Sequence, residues 1–419
     1  MAIAFTLVFL AFLVAMVVIK FWLASRQVRH VSAHAGRVPE QFAERVSIEA
    51  HRKAAAYTVA RQRLGMIDTA VAAVVLLGLT LLGGLQAISD TLAAWIGRGF
   101  LFQFLLVAVV MAVVSAVDLP FAWYRQFRIE QAFGFNRMTP ALFIADLLKS
   151  LVLAIVVGGP ILAIVLWLMH KAGSLWWLYA WMVWIAFNAL ALVLYPTLIA
   201  PLFNKFTPLQ DSALAARIQA LLERTGFSSR GVYVMDGSRR SSHGNAYFTG
   251  LGRAKRIVFF DTLVDRLQPP EIEAVLAHEL GHFKLKHIAK RLAFSVVASL
   301  AVLALLGWLV TQPWFYQGLG VTPALDASND GLALVLFFLA LPVFTFVFAP
   351  IASRFSRRHE FEADAFAARH ARASDLVTAL VKLYQENAST LTPDPLHSAF
   401  YDSHPPAALR VQRLLAAGA

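Results

Sequence analysis

An all-α polytopic membrane protein is predicted by three features of this sequence: its apolar composition, the length of its apolar runs and the placement of its positive charges. Of 419 residues, 59% are hydrophobic and 15% charged, with a mean hydropathy of +0.64. A soluble domain carries about 45–50% apolar and ~25% charged residues. Seven stretches, 2–24, 66–88, 100–120, 142–170, 175–200, 291–311 and 332–352, are apolar over the ~17–25 residues a helix needs to cross the hydrocarbon core. The cations then fall on one side: segments 25–65, 121–141, 204–290 and 353–419 hold 32 of the 37 Lys and Arg. By the positive-inside rule the N-terminus lies outside and the C-terminus in the cytoplasm.

The first run reads as a retained span. No cation precedes Lys20, and the run exceeds the ~7–15 apolar residues of a signal-peptide core. Gly158-Gly159-Pro160 predicts a kink in the fourth span. Trp167, Trp176, Trp177, Trp308 and Trp314 gather toward the non-cytoplasmic face, as an interfacial aromatic belt would. The net charge of +12 and pI of about 10.1 follow from the charge asymmetry. No binding motif accompanies them, so no nucleic-acid partner is expected. The absence of cysteine excludes disulfides and Cys-ligated zinc.

Four regions follow: 1–203, transmembrane helices one to five; 204–290, a cytoplasmic insert; 291–352, helices six and seven; and 353–419, a cytoplasmic C-terminal segment. The insert has the texture of a small α+β domain. Asp211 can cap an amphipathic helix to about Thr225, with Leu214, Ile218, Leu221 and Leu222 on one face. "GVYVMD" and "RIVFFDTL" read as strands, and "HGNAYFTG" as a polar strand with a free edge. Pro269-Pro270 starts a further helix, with Glu271 in its first turn.

That last helix carries "AVLAHELGHFKLKH" (274–287). Residues four apart share a helix face, so His278 and His282 can hold one zinc ion. Glu279 lies beside the first ligand, where it can take a proton from an attacking water. Gly281 in mid-helix costs about 1 kcal/mol relative to Ala, which points to a close approach by another element. A catalytic zinc needs a third protein ligand and an open position. The segment "SRRHEFEADAFAARH" offers Glu360 as ligand and Asp364, one turn on, to accept a hydrogen bond from a ligand histidine. His359 and Glu362 are the alternatives. Span six leaves, and span seven returns to, the cytoplasmic side beside these segments, so the site belongs at the membrane border, within reach of water. Two other readings compete: an intramembrane-cleaving metalloprotease, and a non-enzymatic seven-helix transporter or receptor. "KLKHIAKR" after the motif is too charged for bilayer depth, which disfavours the first.

"IEQAFGFNRMTP", "IAPLFNKFTPL", "HGNAYFTGLGRAKRIVFFDTL", "AHELGHFKLKH", "RRHEFEADAFA" and "YDSHPPAALRVQRL", in this order among seven spans, resemble the type I CAAX prenyl endopeptidases. The resemblance implies a helical barrel around a water-filled chamber, closed on the cytoplasmic side by a zincin-like domain. It implies one zinc on His278, His282 and Glu360, with Glu279 as base. Asn245, Ala246 and Tyr247 would line the peptide substrate as an edge strand, and His404 would stabilise the oxyanion. Glu362 stands where relatives often have Gln. The implied substrate is a peptide or protein, prenylated or membrane-associated, in CAAX-type processing or membrane-protein quality control. A monomer is expected. The Ala- and Arg-rich, Cys-free composition points to a bacterial cytoplasmic membrane, or the endoplasmic reticulum membrane in a eukaryote.

Five further residues carry expectations of their own. Arg410 is a candidate partner for a site carboxylate. Asp146 and Lys149, one turn apart in span four, either face a chamber or, for Lys149, snorkel to the cytoplasmic face. His243 and His287 are expected to be solvated.

Overall fold

The computed structural model describes residues 1–229, 231–249, 256–325 and 327–418. Each predicted span is a helix, and most run well past the apolar stretch: Ala2–His34, Ile48–Leu79, Phe100–Glu130, Pro140–Lys171, Gly173–Phe203, His287–Leu309 and Asp330–His370. The second starts far into the cytoplasmic segment because Ser47 caps it, accepting from Ala50 N at 3.1 Å. The predicted kink in the fourth takes the form of a π-turn, Ala154–Gly158, just before Pro160, which has no N–H to give to the ladder.

The sequence reading missed an amphipathic helix, Gly84–Ile96, between spans two and three. Its apolar face merges with the preceding apolar run. Only the left-handed Gly83 (φ 81°) breaks the two apart.

Consecutive spans touch one another, and the seventh closes on the first, so the helices form a ring. The ring is not packed evenly. One large cluster holds Phe9 and Leu13 of span one, Phe102 and Leu106 of span three, Leu166 of span four, Leu306 of span six and Leu332–Phe337 of span seven. All these residues lie at the ends of their helices away from the sheet domain. Toward the sheet domain the helices splay, and in span five the apolar window has no buried residue at all. A cavity of about 700 Å³ opens there, lined by Phe21 and Gln27 of span one, Arg61 and Thr69 of span two, and the segment Tyr401–Pro406.

The aromatic belt is only partly as expected. Trp167 and Trp308 keep more than half of their surface exposed, whereas Trp176 is buried in the outer cluster.

The insert forms a four-stranded sheet in the order β1 (Phe206–Pro208), β2 (Val232–Met235), β4 (Arg256–Phe260), β3 (Ala246–Thr249). β2 and β4 run parallel, and the outer pairs are antiparallel. β3 is therefore an edge strand; Gly250, the end of the predicted "HGNAYFTG" strand, lies outside the described residues. β1 escaped the sequence reading because it is three residues long and ends in a proline, tolerable only at an edge. Helix Ser212–Arg224 packs on the sheet with Leu214, Ile218, Leu221 and Leu222 buried, and Asp211 caps it as predicted. Helices Pro269–Lys284, Ala349–His370, Ala373–Glu386 and Ala407–Gly418 complete this second core.

Polar struts dock this domain on the spans. Arg240 donates to both Asp146 oxygens (2.8 and 3.1 Å) and to Asn204 Oδ1 (3.0 Å). Lys149 donates to the Leu202 carbonyl at 2.9 Å. Asp146 thus holds the domain to span four, and Lys149 ties span four to span five, roles the sequence alone leaves open. His243 is not solvated either. It is half-buried between Asn387 Oδ1 (3.1 Å) and Glu130 Oε2 (3.4 Å), stacked on Phe135, while Tyr57 donates to the other oxygen of Glu130.

Candidate metal centre

The motif helix, Pro269–Lys284, begins with two prolines and a capping box in which Gln268 and Glu271 each accept from the other's backbone N–H. Residues 271–278 and 280–281 are all buried, so the helix runs through the domain core. Helix Ala349–His370 crosses it at Gly281. A Cβ there would stand 3.0 Å from Ala363 Cα and 3.2 Å from the Ala363 carbonyl. This is the close approach that the mid-helix glycine announced, and it brings Glu360 to the two histidines.

Three side-chain atoms converge. His278 Nε2 and His282 Nε2 are 3.2 Å apart, and the Glu360 oxygens lie 3.4 and 3.2 Å from them. Tetrahedral zinc with bonds of about 2.0–2.1 Å needs ligand atoms roughly 3.3 Å apart. Glu360 Oε2 is a buried oxygen without a hydrogen-bond partner, an expensive arrangement unless a cation satisfies it. The residues therefore fit a zinc ion.

The surroundings orient the ligands. Asp364 Oδ1 lies 2.9 Å from His278 Nδ1, and both Asp364 oxygens accept from Arg410 (2.6 and 2.9 Å). Arg410, 4% exposed, also brings Nη1 to 3.8 Å from Glu360. Burial works against a charged His278, but the Asp364 and Glu360 carboxylates outweigh it and raise its pKa to about 9. The site is built to hold positive charge. Burial pushes the Glu279 carboxyl above its ordinary range although both motif histidines pull it down.

Glu279 faces a cavity of about 320 Å³ shared with His278, Asn245, Ala246, His404 and Arg410. Its far wall is apolar: Val275, Leu376, Leu380 and Leu383. His404 Nε2 stands 3.5 Å from Glu360 Oε2, and its Nδ1 is 3.0 Å from Ser403 Oγ. Burial and Arg410 hold its pKa below the usual imidazole value despite Glu360, leaving a neutral ring with one N–H to donate. His404 also lines the larger cavity, so the two spaces meet at this residue.

β3 borders the same cavity. The Asn245 carbonyl accepts from Phe260 N at 3.0 Å, which turns it toward β4. By the alternation of an antiparallel ladder, Ala246 and Phe248 aim their backbone groups at the free edge. Asn245 Oδ1 already takes the Ala246 N–H at 2.8 Å, so the Asn245 side chain offers only its NH₂ to a ligand. The Ala246 and Phe248 side chains pack on the domain core, whereas Tyr247 turns to the other face beside Met235 and Phe260.

A match to known proteins follows this geometry. Residues 27–205 match the CAAX prenyl protease N-terminal region of five membrane helices, and 208–417 match peptidase family M48. The chain is 39% identical over 300 residues to a CAAX prenyl protease 1 homolog of Dictyostelium discoideum, spanning 71% of this chain and 69% of that protein. It is 33% identical to a homolog of Oryza sativa subsp. japonica over 99% of this chain and 98% of the other. The crystal structure of S. mikatae Ste24p superposes with a TM-score of 0.90 at 32% identity, covering 98% of this chain and 99% of that one.

The chain belongs to peptidase family M48. It is a multi-pass integral-membrane zinc metallopeptidase with seven long apolar helices and a His-His-Glu cluster. A transporter or receptor reading finds no support in this family.

In this M48 peptidase the sequence-predicted residues His278, Glu279, His404 and Arg410 line one cavity with Asn245 and Ala246, and His282, Glu360 and Asp364 gather behind its wall around His278. Of the alternative ligands, His359 and Glu362 sit instead beside His287. His287 is 2% exposed and not solvated as expected. Tyr384, on the wall of both cavities, was missed, since an amphipathic helix that buries an aromatic residue carries no chemical signature.

Proposed function

We propose that the chain cleaves peptide bonds of membrane-tethered proteins at the cytoplasmic membrane border, near a prenylated C-terminus of the CAAX type named for its relatives. The observation that carries this reading is the convergence of two Nε2 atoms and an orphaned carboxylate oxygen at zinc-ligand spacing, with Glu279 on the same cavity. His278, His282 and Glu360 would hold one zinc per chain, which supplies Lewis-acid polarisation of water and carbonyl.

The remaining chemistry belongs to the chain. Glu279, its pKa raised by burial, takes a proton from the attacking water and passes it to the leaving amine. His404 donates its N–H to the developing oxyanion. Asp364 and Arg410 fix His278. An extended peptide pairs with the free edge of β3 through the Ala246 carbonyl, the Phe248 backbone groups and the Asn245 NH₂, which tolerates varied side chains. The apolar wall of Leu376, Leu380 and Leu383 takes an aliphatic side chain, and the larger cavity between the splayed helices receives the lipid-bearing end.

The N-terminus lies outside and the catalytic domain in the cytoplasm, in a bacterium at the inner membrane. The test uses the purified chain in detergent micelles with a quenched prenylated peptide and its unprenylated twin. Glu279→Gln should keep about one zinc and lose cleavage, while the wild type should prefer the prenylated peptide. Full activity in Glu279→Gln would sink the mechanism, and equal kcat/KM for both peptides would sink the substrate class. Since the chain lacks cysteine, single probes test orientation: Ser228→Cys must be unreactive from outside and Ser328→Cys reactive.

A further inference from the structure

His278 has a carboxylate partner for its second ring nitrogen; His282 does not. What it has is another histidine. His282 Nδ1 and His287 Nδ1 are 3.1 Å apart, and His287 Nε2 is 3.0 Å from Glu362 Oε2. Glu362 Oε1 in turn accepts from Arg358 Nε at 2.9 Å. Residues five apart on one continuous helix would point about 140° away from each other. The chain avoids this by ending the motif helix and starting span six one residue after Lys286, a non-glycine in the left-handed region (φ 59°, ψ 30°). That conformation is unfavourable for a residue with a Cβ, and what it achieves is to fold His287 back against His282.

The protons can be assigned. Two facing ring nitrogens at this distance share a single hydrogen. A His282 that offers Nε2 to the metal keeps its hydrogen on Nδ1, so it donates to His287 Nδ1. His287 must then carry its own hydrogen on Nε2, and it donates to Glu362. We infer that His287 and Glu362 are positioning residues for the metal centre, a two-step relay that fixes the tautomer and ring plane of His282 as Asp364 does for His278. This inference rests on the reading of His282 as a zinc ligand.

The same group of residues suggests a rival, since ligand atoms of His287, His359 and Glu362 all lie within 4.8 Å of one another. A second cation there meets two obstacles. The His287 and His359 rings are stacked at 4.1 Å and 10°, so their in-plane lone pairs run side by side and do not converge. A cation on His287 Nε2 would also move its hydrogen to Nδ1, against the N–H of His282.

The experiment measures zinc affinity by chelator competition on the full chain in micelles, together with kcat and KM. Ligand-supporting groups are typically worth about 10–100-fold in metal affinity or activity. His287→Leu, which keeps volume but removes the acceptor, should lose zinc affinity by that factor and lower kcat at little-changed KM. His287→Asn, whose Oδ1 can stand where Nδ1 stood, should recover most of both. Glu362→Gln keeps an acceptor and should stay within about threefold, while Glu362→Leu should fall about tenfold. Because Glu362 is part-exposed, its pair of variants provides the readout should His287→Leu not fold.

Wild-type zinc affinity in His287→Leu or Glu362→Leu, or no rescue by His287→Asn, overturns the relay. So does a second tightly held zinc that these variants remove. Failure of the underlying reading looks different: His278→Ala would then keep its zinc, and Glu279→Gln would still cleave.

Discussion

The two ends of the molecule are built on opposite terms. At the end remote from the metal domain, bulky side chains from five spans interlock: Phe9, Phe102, Leu106, Leu166, Leu306 and Leu336 are at most 1% exposed. At the end that carries the metal domain the same helices part, and a cavity separates them from a compact domain with its own core. The closed end needs only apolar volume. The open end needs polar struts, Arg240 on Asp146 and Glu130 on His243 and Tyr57, because its helices part around the cavity and pack little apolar surface between them. Rigidity is therefore spent where the ring must stay shut and where zinc ligands must stay aligned, leaving the space between free to admit a substrate.

The largest expected contrast is chemical. Glu279→Gln should cut kcat by about 10²–10⁴ with zinc content and melting temperature unchanged, since nothing else depends on that carboxylate. Zinc loss in this variant would break the separation between base and ligands. Next, His404→Ala should lower kcat by roughly 10²–10³ with little change in KM. A fall only in stability would reduce His404 to an anchor for the C-terminal helix.

Two glycine variants sharpen the comparison between the ends. Gly281→Ala drives a Cβ into Ala363 and, at about 1–3 kcal/mol for overpacking, should weaken zinc binding as it lowers the melting temperature. Gly331→Ala meets the Gln103 carbonyl at 2.6 Å in the closed end. It should cost a similar amount while leaving zinc affinity intact. If Gly331→Ala also lost zinc, the two ends would not be independent. The smallest effect is expected from Trp308→Ala, since this side chain stays mostly outside the packed cluster. Chain stability in micelles should change by about 0.5 kcal/mol or less.

Both the metal ligands and the spans were readable because each rests on a local rule. A helix places residues four apart on one face, and the bilayer demands about twenty apolar residues in a row. Gly281 was readable as a contact, though its partner, Ala363, was not. The role of Asp146 stayed open, and His243 and His287 were expected to be solvated, for one shared reason. Each looks like a charged or polar residue near water, and each is instead matched by a partner remote in sequence or across a chain break: Arg240, Glu130 and Asn387, and His282 with Glu362.

The sequence alone determined the seven helices, the polarity of the loops, the amphipathic face of Ser212–Arg224 and the candidate zinc ligands, because periodicity, length and charge are properties of neighbouring residues. Only the tertiary structure decided that the ring of spans packs at one end and that the three-residue β1 forms the other edge of the sheet. It alone decided that Lys286 turns back so that His287 meets His282. Those outcomes depend on which distant surfaces meet, and a buried polar group shows its meaning only once the partner that satisfies it is in place.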